Sequence, residues 1–257
     1  MSNLYYFMLL TTTFALLLIV YIPFRKSQSI FFRGFVGLLC VIILSLVGYD
    51  IVRSIFATKE QGVQKKHKEY MQLAGEILGK QLRYAEVEDP RIKVLIIDFP
   101  EKSRIPRAGV SKSVISGLEK GLKAAGFSFK AIERVEPSKT NDYWLSANEF
   151  DRIIRKHPDV GIVISLVGLP KDLRSVEFWN DENPPRLVLF GGNLKNIDQA
   201  LRYKVVVAAI TFLPGANFWE KPNSDIKSQA QIFNEHFLYI TAKNVDDIND
   251  EFPILFK

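Results

Sequence analysis

The chain has 257 residues, 47% of them hydrophobic, with a mean hydropathy of +0.05, a formal net charge of +6 and a pI near 9.2. The apolar excess lies in two runs within the first 56 residues, which excludes a wholly soluble protein, a polytopic transporter and a disordered chain. About half of the charge has the same address, where Arg25, Lys26, Arg33 and Arg53 face only Asp50, so the basic pI is not a nucleic-acid footprint and no nucleic-acid partner is expected.

Residues 4–22 carry no charge and are long enough to cross a hydrocarbon core. Tyr5, Tyr6 and Tyr21 stand near the ends of this run, as interfacial aromatics do, and Pro23 breaks it. Residues 34–52 form a second apolar run, bounded by Arg33 and Arg53. The expectation is a transmembrane helical hairpin over residues 1–56, in contact with lipid through 4–22 and 34–52. A signal peptide would need a basic start and a shorter apolar core, and Met1, Ser2 and Asn3 carry no positive charge.

The short loop holds Arg25, Lys26 and Arg33, which argues for a cytoplasmic loop and an exported C-terminal domain. Arg53, Lys59, Lys65, Lys66 and Lys68 argue the reverse, but several pair along the next helix with Glu60 and Glu69. The expected location is a bacterial inner membrane, with the domain on the periplasmic side. Cys40, the single cysteine, lies in the second apolar run, so no disulfide within one chain and no cysteine metal site is available.

Residues 57–90 form the expected helical stalk. Tyr70, Leu73, Ala74, Ile77, Leu78 and Leu82 recur at three- and four-residue steps, which makes one apolar stripe on a helix over 59–85. Gly75 and Gly79 weaken that helix locally. The stripe is too short for sustained heptads, so packing on its own domain is favoured over self-association.

Residues 91–257 alternate strand and helix. Apolar, β-branched runs predict strands at Lys93–Asp98, Ala131–Val135, Val160–Val167, Arg186–Phe190, Val205–Phe212 and Phe237–Thr241. Helices are predicted over Val114–Ala125, stopped by Gly126, and from Ser146 to His157, stopped by Pro158. Ser146 and Glu149 have the spacing of a capping box. A further helix is predicted over Ile226–His236. Continuous apolar strands between helices imply a doubly wound α/β fold with a mostly parallel sheet covered on both faces.

In such a sheet ligands sit beyond the carboxyl ends of the strands. Those ends carry Asp98, Phe99 and Pro100, then Gly168 to Pro170, then Gly191, Gly192 and Asn193, then Leu213 to Asn217. No phosphate-binding glycine loop and no nucleophile elbow is present, so nucleotide binding and α/β-hydrolase chemistry are excluded. A phosphoacceptor role for Asp98 needs an acidic group at the end of the third strand, where Ser165 and Leu166 stand. His67, His157 and His236 have no second ligand at zinc spacing, and no metal or cofactor is expected.

The order of features resembles type I periplasmic sugar-binding proteins and the related repressors. Gly117 to Gly126 looks like their first helix of this kind, and His157 to Val163 like their proline–aspartate step into a strand. Leu187 to Asn193, Ala200 to Pro214 and Phe237 to Asp246 resemble the strands that follow. The match covers about residues 91–250. The resemblance implies a ligand between two similar lobes, and here there is room for one.

Three departures fall where that family places polar ligand contacts. Leu166 to Pro170 follow the third strand, Gly192 and Asn193 the fourth, and Phe212 and Leu213 precede the last proline. The ligand-binding candidates that remain are Asp98, Gly168, Gly192, Asn193 and Asn217. Trp179, Phe218 and Trp219 are candidates for a protein-binding patch if exposed, and core if buried. The tail from Phe252 to Phe256 docks either on its own domain or on a partner. The leading expectation is a membrane-anchored, non-enzymatic binding or scaffold module that contacts a protein partner or a second copy. The alternative is a solute receptor holding its ligand between the lobes of an oligomer.

Overall fold

The structure is a computed structural model that describes residues 64–84, 92–100, 108–135, 145–170, 172–191, 197–218 and 228–256, together with Gly48, Gly62 and Leu194. The chain divides into two units, Met1–Gln64 and Lys65–Lys257. No described helix is long and apolar enough to cross a membrane. The two expected spans, 4–22 and 34–52, lie outside the described residues apart from Gly48.

The second unit holds one six-stranded sheet. Its strands are β1 (Lys93–Asp98), β2 (Ser128–Arg134), β3 (Val160–Ser165), β4 (Arg186–Phe190), β5 (Val206–Phe212) and β6 (Phe237–Ile240). The spatial order is β2-β1-β3-β4-β5-β6. The first five strands are parallel, and β6 runs antiparallel to β5.

Five parallel strands need crossovers, and each crossover helix buries one face of the sheet. Helix α1 (64–81) precedes β1, α2 (Ala108–Ala125) joins β1 to β2, and α3 (Ala147–Arg155) joins β2 to β3. Helix α4 (Ile197–Arg202) joins β4 to β5, α5 (Gln229–His236) leads into β6, and α6 (Val245–Glu251) follows it.

Period-two alternation sends neighbouring strand residues to opposite layers. Val94 and Ile96 point into a core shared with α1, α2 and α5, whereas Leu95 and Ile97 point into one shared with α3, α4 and α6. All four are fully buried.

Helix α1 packs on its own domain, against α2. Its buried face is Tyr70, Met71, Ala74 and Leu78, with Gly75 and Gly79 on the same side, and Leu82 in the 3₁₀ turn that follows continues it. The two helices cross backbone to backbone. A Cβ on Gly75 or Gly79 would meet the backbone of Val114, Gly121 or Leu122 at under 3 Å, and one on Gly117 or Gly121 would meet Gln72 or Glu76 as closely. The glycines that weaken α1 locally are therefore what permits the crossing.

Other local readings shift. Helix α2 begins at Ala108, six residues before the predicted start, and β2 begins at Ser128 rather than Ala131. Ser146 caps α3 by accepting from the Glu149 backbone N–H at 3.2 Å. A full capping box stands instead at α5, where Ser228 and Gln231 bond reciprocally at 2.8 and 3.2 Å. The sheet is mostly parallel, as expected, and the exception is β6, because α5 ends at His236 beside the end of β5, and Phe237 pairs at once with Phe212.

Candidate functional site

Strand β1 pairs with β2 on one side and β3 on the other, so chain direction across the sheet switches there. The crevice beyond such a switch is where this topology offers a site. Asp98 ends β1 at 3% exposure, and its carbonyl accepts the Val135 N–H at 2.9 Å. Ser165 ends β3 and is also buried. Its hydroxyl donates to the Gly168 carbonyl at 2.5 Å and closes a tight turn. Gly168 has φ +90, a left-handed conformation that favours glycine.

That turn sends its apolar side chains into the two cores. Leu166 packs into the core under α2, and Leu169 into the core under α3. Phe99, Gly168 and Pro170 are buried or nearly so. The Leu166 N–H donates to the Ile97 carbonyl at 2.9 Å, which ties the turn to β1. Asp98 and Gly168 are thus brought together at the switch point. Asn217 stands exposed after β5. Gly192, Asn193 and Trp219 lie outside the described residues.

The two described aromatic candidates pack inward. Trp179 is half-buried against the α3-side core, with its ring centroid 4.1 Å from that of Phe178. Phe218 is half-buried among Phe212, His236, Phe237 and His67, at centroid distances of 5.3, 5.0, 5.8 and 5.8 Å. His236 is buried, stacks on Tyr70 at 4.3 Å, and its Nδ1 lies 2.8 Å from the Ile232 carbonyl. Two of the histidines are therefore held in an aromatic cluster rather than solvated.

Burial holds the pKa of His67 below the ordinary 6.5. Its neutral form fits the fold better than its charged form. The folded state then binds fewer protons than the unfolded one, so stability falls as pH drops below 6.5 and levels off below the lowered value. Thermal melts between pH 7.5 and 5 should show this loss, and His67→Gln should flatten it. Equal slopes in the two proteins would contradict the assignment.

His157 also has a partner that linear spacing did not suggest. Its Nε2 lies 2.8 Å from Glu133 on β2, which the Lys156 ammonium also reaches at 2.7 Å. The Lys156 bond, against some burial, holds the Glu133 carboxyl below its usual range, with His157 adding to the effect. Its contribution is lost only at more acidic pH, outside the window of His67. Asp159 is held well below the usual carboxylate range by hydrogen bonds from Lys93 and then Lys130. These clusters join β1, β2 and the turn before β3. Among the described residues no group of three or more acidic, histidine or cysteine side chains is arranged for a metal.

No protein-family model matches the chain, and no curated protein matches it. Solved structures do. A sugar ABC transport substrate-binding protein from Bordetella parapertussis is 15% identical, with 55% of this chain and 41% of that one covered and a TM-score of 0.41. A periplasmic ribose ABC transporter protein from Conexibacter woesei is 11% identical, with 70% and 60% covered and a TM-score of 0.47. GanP, a glucose-galactose binding protein from Geobacillus stearothermophilus, is 18% identical, with 69% and 61% covered and a TM-score of 0.45. Part of this chain is similar to sugar ABC substrate-binding proteins. The chain spans about two fifths to three fifths of the length of these three, and the likeness is one of fold.

Proposed function

We propose that residues 65–257 are a non-enzymatic binding lobe whose carboxyl edge meets a protein partner. The apolar runs 4–22 and 34–52 hold it at a bacterial inner membrane, with the lobe on the periplasmic side. The apolar, buried turn after β3 supports this reading. Leu166 and Leu169, the residues that follow β3, are buried and apolar, where a solute site would need a few exposed polar groups.

A second reading follows from Asp98 and Ser165, both buried at the switch point. A lobe from another subunit would roof them and enclose a solute, as the sugar-binding function of the solved structures suggests.

Photo-crosslinking of the full chain in membranes separates the two. A crosslinker at Pro214 or Asn217, both exposed at the carboxyl edge, should give one adduct of defined mass. A crosslinker at Lys120, exposed on α2, should not. The detergent-solubilised chain should show no thermal shift with a sugar panel. A sugar that raises the melting temperature by several degrees sinks the protein-partner reading in favour of the roofed site.

A further inference from the structure

We draw no further inference here: the strongest candidate, the ring cluster of His67, Tyr70, Phe218 and His236 that joins the start of α1 to the loop after β5, rests on the burial-lowered pKa of His67, whose effect on stability is already stated, and the acids of residues 219–227 that follow Phe218 lie outside the described residues.

Discussion

Gly117→Ala should lower the unfolding free energy by about 2–3 kcal/mol, the range expected when a packed contact is overfilled. The added methyl would lie 1.9 Å from the Gln72 carbonyl oxygen and 2.8 Å from the Glu76 nitrogen. Both are backbone atoms of α1, so no side chain can swing aside. Helix α1 must move off α2, and the contacts of Met71, Ala74 and Leu78 loosen with it. Alanine is the better helix former by about 1 kcal/mol, which offsets only part of the loss. Gly62→Ala is the control: Gly62 is helical and exposed, with nothing within 4 Å of the added atom, so stability should hold or rise. Urea denaturation of both variants checks the pair. Equal effects would mean that the helices do not cross backbone to backbone.

Phe178→Ala should cost about 3–5 kcal/mol, the usual range for emptying a buried aromatic site. Phe178 is fully buried, with its ring 6.1 Å from Phe150 and 4.1 Å from Trp179. Nothing nearby can collapse easily into the space, because the short helix Glu177–Asn180 is tied down. Asp151, buried on α3, accepts the Glu177 and Phe178 N–H groups at 2.8 and 3.0 Å. Thermal unfolding is the measurement. Trp179→Ala extends it to function. As a core residue, Trp179 should cost stability when truncated, while crosslinking from Asn217 persists. Loss of crosslinking with unchanged stability would restore Trp179 as a partner anchor.

The strands were legible because burial on both faces demands long apolar runs, and Lys93–Asp98 and Arg186–Phe190 were read to the residue. Asp98 and Gly168 at the switch point followed from the same rule, since strand ends are where turns and ligands gather. The burial of the turn after β3 was not legible. Leu166 and Leu169 read as departures from a sugar-contacting pattern, but their destination, one core each, depends on which face each turn residue meets. The partner of His157 was hidden for a similar reason, because β2 brings Glu133 beside it from 24 residues away.

Composition and periodicity by themselves determined a doubly wound α/β domain with a mostly parallel sheet, because local apolar patterns encode strand, helix and burial within a few residues. Tertiary structure alone decided three things. It set the α1–α2 crossing, where four glycines are valuable only because two backbones meet. It turned β6 antiparallel, because a short helix delivers the chain back to the end it left. It moved Trp179 and Phe218 inward, where neighbours rather than residue type set exposure.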